Sequence, residues 1–204
     1  GRRCFTDKKS EKNLEKITWT CDIDGGDWGG RTTGDEGIRQ GLPRILEAFR
    51  AYKVKAIFFI STEILPYYKV AIRDILSAGH IIGSHGHFHI KYKNEWRTEK
   101  DREISKTLLS VFTGSMDMPY RAPKFSYDDG GIYASSVNHV GLLRHTWFGG
   151  KVASDSIFYL HPFDIVEGKN PPNLFCGICY SKPKLAYETF INLLKHYPGS
   201  ARLH

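Results

Sequence analysis

Four histidines, His80, His85, His87 and His89, crowd the stretch GHIIGSHGHFHI. Imidazole titrates near neutral pH and is the commonest metal ligand, so the cluster reads as a metal site, a pH switch or a solvated loop. His85 and His89 stand four residues apart. On one helical turn that spacing sets both rings on the same side, able to share an ion, and points His87 elsewhere.

A second group lies upstream, in TCDID. Residues two apart on a strand share a face, so Asp22 and Asp24 project together at a strand end, although aspartates also simply open loops such as GGDWGGRTTGD. Two histidines and one carboxylate leave coordination positions for water and substrate, as a catalytic site requires. Asp24 is the candidate third ligand, and Asp22 is then free to take a proton. Arg121, in RAPKF, can grip a carboxylate and keep it ionised. His161, in FYLHPFDI, is either a general acid at a strand end or a packed structural histidine.

Alternating strands and helices must position these groups. ITWTCDID, KAIFFIS, HIIGSH and SIFYLHPFDI have the β-branched and aromatic content of strands. Between and after them, DEGIRQGLPRILEAFRAYKV carries apolar residues at helical period, EILPYYKVAIRDILSAGH ends at Gly79, NEWRTEKDREISKTLLSVFTG ends at Gly114, GGIYASSVNHVGLL contains a further helix, and LAYETFINLLKHY closes the series. Such alternation implies an α/β fold on a largely parallel sheet or barrel, with its chemistry at the carboxyl edge. A polar extension over 1–16 precedes one catalytic domain over 17–204, which can fall short of the complete domain at its C-terminus.

The 204 residues suit one domain with a sizeable core, and the longest apolar run, AIFFI, is far below the roughly 20 residues of a membrane span. A formal charge of +7 is spread over mixed-sign segments, so no specific nucleic-acid binding is expected. The four cysteines, Cys4, Cys21, Cys176 and Cys179, are too few for a disulfide-stapled scaffold, and CGIC reads as ordinary thiols or a local disulfide, with metal binding or redox chemistry as the lesser reading. The chain opens GRRCF without methionine, so an upstream segment is expected to have been cut away. The compartment is left open, with the cytoplasm favoured.

In order and wording, GLPRILEAFRAYKVKAIFFIS, AGHIIGSHGHFH and YRAPKFSYDD resemble the NodB-homology polysaccharide deacetylases, carbohydrate esterase family 4, over roughly residues 17–197. The resemblance implies a distorted parallel β/α barrel of the seven-stranded type. It also implies removal of acetyl groups from N-acetylated sugars of a polysaccharide or glycan precursor, with a divalent metal, zinc by ligand type. It assigns the general base to Asp22, the metal ligands to Asp24, His85 and His89, the orientation of the base to Arg121, and the general acid to His161. An oxyanion would be held by the backbone N–H of Lys124. Here the first motif is DID rather than the common adjacent aspartates, as in a minority branch. The motif that usually tunes the acid histidine is not recognisable, Asp155 being its positional candidate. Hydrolysis of another amide or ester, and a non-catalytic glycan-binding relative, are the competing readings.

Overall fold

The computed structural model describes residues 17–24, 36–123, 157–166 and 183–199. Their strands are β1 (Thr18–Ile23), β2 (Ile57–Ile60), β3 (Ile81–Ser84) and β4 (Ile157–Leu160), all parallel and ordered β3-β2-β1-β4. Their helices are α1 (Leu42–Ala51), α2 (Leu65–Ser77), α3 (Glu95–Thr113) and α4 (Pro183–His196). No described helix is long and apolar enough to cross a membrane. The polar extension over 1–16 and the helix expected in GGIYASSVNHVGLL lie outside the described residues.

β2 and β4, IFFI and IFYL, read as continuous apolar runs because both of their faces are covered, as parallel sheets require. On one face Trp19, Cys21, Ile23, Phe58, Ile60, Phe158 and Leu160 join the helices in a single core. Ile45 and Phe49 of α1, Ile72 and Ile75 of α2, and Phe190 and Leu193 of α4 complete it. Trp19 is its centre, stacked on Phe158 at 4.9 Å and edge-on to Phe49 and Phe190, with its indole N–H donating to the Tyr197 carbonyl. Burying a side chain of this class stabilises by roughly 1.5–3 kcal/mol. The other face carries Thr20, Asp22, Phe59 and Tyr159, also buried, and it is there that the chemistry-bearing residues lie.

Local sequence explains where the elements begin and end. The helix expected from Asp35 onward starts instead with a wide π turn, Gly37–Gly41, which runs into α1. Pro43 has no N–H to give the preceding turn, so regular α geometry starts at its doorstep. A side chain at Gly41 would collide with the Pro162 carbonyl, which lets this turn pack on the segment after β4. Asn94 caps α3 by accepting the Arg97 N–H at 3.2 Å, and Gly114 ends it in the left-handed region at φ 73°.

Candidate metal centre

The site grows from the carboxyl ends of adjacent strands. Backbone bonds from Ser61 N–H to Ile23, from His85 N–H to Ile60 and from Arg121 N–H to Ser84 carry the ladder one step past β1, β2 and β3. His161 directly follows β4. Thus Asp22, Asp24, His85, Arg121 and His161, far apart in sequence, are delivered to one edge, where β/α folds gather their chemistry.

Asp22, Asp24, His85, His89 and Arg121 are each no more than 4% exposed, whereas the His161 side chain is 16% exposed. His85 Nε2 lies 3.4 Å from Asp24 Oδ1, and His89 Nε2 lies 3.6 Å from Asp24 Oδ2. The Arg121 carbonyl is 2.7 Å from His85 Nδ1, so Nδ1 carries the proton and Nε2 offers its lone pair to the centre. Burial holds His85 below the ordinary histidine value even against Asp22 and Asp24, favouring the neutral, ligating form.

The two carboxylates of the DID stretch have opposite electrostatics. Burial pushes both upward. At Asp22 that is outweighed by the Arg121 guanidinium, then by His85 and His161, so its carboxyl titrates below the usual value; Arg121 Nη1 donates to Asp22 Oδ1. The guanidinium also lies over two rings, 4.2 Å from the centroid of Phe59 and 5.8 Å from that of Tyr159. Asp24 is held above the usual value, burial and its neighbours Asp22 and Asp164 prevailing over His161 and His85. Neither Asp24 oxygen has a hydrogen-bond partner among the described residues.

An orphaned buried carboxylate costs about 1–3 kcal/mol or more, so it calls for a physical reason. A cation between Asp24, His85 and His89 would supply one, since one ligand atom from each lies within 4.8 Å of the others. Two atoms each about 2 Å from one zinc stand roughly 3.3 Å apart, close to the separations found. The donor set of two imidazoles and one carboxylate fits a divalent metal and leaves positions open.

His85 and His89 do not share a helical turn, contrary to the expectation from their spacing. Residues 85–94 form a loop in which Gly86 and His89 take positive φ, 79° and 47°. That loop, not helical periodicity, brings the rings to a 5.0 Å centroid separation. His87 points away, its Nδ1 2.8 Å from Thr62 Oγ1, and His80 is buried against Phe49 and Phe58 with Nδ1 accepting the Ala56 N–H. Lys124, Asp155, Cys4, Cys176 and Cys179 lie outside the described residues.

Two acids that sequence reasoning passed over also stand here. Asp164 is fully buried; its Oδ2 accepts the His161 N–H at 2.6 Å and lies 3.4 Å from His161 Nδ1. The signal was available in HPFD, a proline-opened turn with an acid three residues after its first position. Asp101, on α3, accepts from the loop that carries His89. Its mark was subtler: Asp101, Ser105 and Leu109, spaced by four, are the buried stripe of an otherwise charged helix.

Comparison with known proteins agrees with this fold. The polysaccharide deacetylase family matches residues 32–138, just over half of the chain, and the chain belongs to that family. Among curated proteins, the peptidoglycan deacetylase of Helicobacter pylori is 25% identical over 142 residues, covering 63% of this chain and 46% of that protein. This chain therefore spans about half the length of that relative. Among solved structures, a probable polysaccharide deacetylase of Pseudomonas aeruginosa superposes with a TM-score of 0.64 at 14% identity, covering 93% of this chain and 88% of that one. A carbohydrate esterase family 4 pseudoenzyme of Bacillus anthracis gives 0.58 at 15% identity, over 92% and 64%. At these identities the superpositions establish the fold, the NodB-type β/α barrel, of which the described residues hold four strands.

Proposed function

We propose that this chain is a metal-dependent carbohydrate N-deacetylase, hydrolysing the acetamide of an N-acetylated sugar in a polysaccharide or glycan precursor. The observation that carries this reading is the convergence of Asp24, His85 and His89 on one buried point, with the Arg121-bound Asp22 beside it. Those three residues would hold the metal, zinc by donor type, which when bound supplies Lewis acidity to the amide carbonyl and the attacking water.

The chain's own groups account for the proton traffic. Asp22, kept ionised by Arg121, takes the proton of the attacking water. His161, the most exposed member of the site, reaches toward the metal ligands with Nε2 3.4 Å from Asp24 Oδ2, and gives a proton to the departing amine. Asp164 beside Nδ1 favours the charged imidazole that this donation needs. The Lys124 N–H is proposed as the oxyanion donor, by resemblance to the family. The peptidoglycan deacetylase named above supports an amino-sugar glycan as the substrate class. The pseudoenzyme relative makes a glycan-binding role the alternative, and the complete set of base, ligands and acid favours catalysis.

The test is acetate release from N-acetylglucosamine oligomers by zinc-loaded protein, alongside Asp22→Asn. Turnover should fall by at least about 100-fold in the variant, with zinc content and circular dichroism unchanged. Full activity in Asp22→Asn would sink this mechanism, and glycan binding without acetate release in the parent protein would favour the alternative.

A further inference from the structure

The chemistry just proposed makes no use of Asp101, yet this acid is only 7% exposed and projects from the middle of α3. No cationic side chain pairs with it among the described residues. Its partners are instead three donors of the histidine loop. Oδ2 accepts the His87 N–H at 2.7 Å, and Oδ1 accepts the Phe88 N–H and the Tyr92 hydroxyl, each at 3.3 Å. Two of these donors precede His89 in the chain and one follows it, so a single carboxylate grips the loop on both sides of that ligand.

The loop needs such a grip. His89 is held at φ 47° and Gly86 at φ 79°, and residues in sparsely populated backbone regions persist only where the surroundings over-determine them. The turn after β2 supplies the opposing restraint, Thr62 N–H donating to the Gly86 carbonyl at 3.1 Å and Glu63 N–H to the His87 carbonyl at 2.9 Å. The loop is thereby clamped between the β2–α2 turn, which satisfies its carbonyls, and Asp101, which satisfies its N–H groups through charge-assisted bonds.

The geometry points to Asp101 as the positioning residue of the metal centre: by fixing the loop around His89 it sets the affinity for the metal while touching neither metal nor substrate. This rests on the reading of Asp24, His85 and His89 as ligands. A residue that only tied α3 to the sheet would lower stability throughout; one that positions His89 lowers metal affinity first.

The experiment titrates zinc, by competition with a chromophoric chelator, into the parent protein, Asp101→Asn and Tyr92→Phe. Asparagine keeps an acceptor for one N–H but turns an amide donor toward the other, so zinc should bind about 10- to 100-fold more weakly. Tyr92→Phe, which removes only one bond, should lose a few-fold. The cobalt-loaded absorption spectrum of Asp101→Asn should change, and amide exchange of the metal-free variant should quicken at His87 and Phe88 while the β1 and β2 amides keep their protection. Zinc affinity within twofold of the parent would overturn the inference, as would exchange that quickens equally in loop and strands. If the parent protein binds no divalent metal, the ligand reading fails by itself. Loop exchange then still decides whether Asp101 grips the loop, unaltered protection in Asp101→Asn overturning that too.

Discussion

Asp22 and Asp24 leave the same face of one strand two residues apart, yet Arg121 pulls one below the ordinary carboxylate value while burial lifts the other above it. The difference is a cation: Asp22 has a guanidinium, and Asp24 has only imidazoles, which is the asymmetry expected of a base beside a ligand. The same contrast separates the histidines. His85 and His89 aim Nε2 at Asp24, whereas His87 turns to Thr62, so alanine at His85 or His89 should abolish stoichiometric zinc in the purified protein, and alanine at His87 should leave it within a few-fold of the parent affinity. Elemental analysis and chelator competition distinguish these outcomes, and equal loss at all three positions would refute the ligand assignment. The residue types and spacing were legible in the sequence. The loop that makes this spacing work was not legible, because the positive φ at His89 is held by tertiary bonds from Thr62, Glu63 and Asp101 that no local pattern encodes.

The loop from β3 to α3 works because of what its backbone can do at Gly86. A Cβ there would fall 2.6 Å from Asp101 Oδ2, in a conformation that already disfavours L side chains. Gly114, at the end of α3, has nearly the same φ, 73° against 79°, but nothing within 4 Å of a Cβ. Gly114→Ala therefore isolates the backbone strain, about 1–2 kcal/mol, and should leave zinc binding intact. Gly86→Ala adds the collision with the carboxylate that holds the loop, so it should destabilise more and weaken zinc binding as well. Thermal melts and zinc titrations of the two variants test this, and indistinguishable behaviour would show that the Asp101 contact is unimportant. Strand and helix positions were readable because apolar period and terminal glycines act locally. The wide turn over Gly37–Gly41 was not, because it reflects packing of Gly37 and Gly41 on Pro162 and Phe163, more than 120 residues away in sequence.

Across the whole molecule, the parallel sheet divides its labour by face. Trp19, Cys21 and Ile23 anchor the helix-covered core, and Thr20, Asp22 and Asp24 alternate with them on the face that bears the site. The α/β class followed from the alternation of elements along the chain, since each strand is short and followed by a helix, turn or loop. The fate of His80 did not, because its neighbours are distant in sequence: it lies in the core, packed on Phe49 and Phe58, with its unprotonated Nδ1 accepting the Ala56 N–H. Burial, with Lys55 nearby, lowers its pKa from 6.5 to about 4. Above pH 6.5 both folded and unfolded chains hold this imidazole neutral, and it contributes no pH dependence. As pH falls below 6.5 the unfolded chain takes the proton first, so stability drops by up to about 1.4 kcal/mol per pH unit until the folded state also protonates near pH 4. His80→Asn keeps an acceptor for Ala56 but cannot titrate. Its melting temperature should be lower at pH 7.5, from lost packing, and should fall less steeply than the parent's between pH 6.5 and 4.5. Melting curves of the two proteins across that interval test the linkage, and parallel declines would mean that His80 is protonated in the folded core.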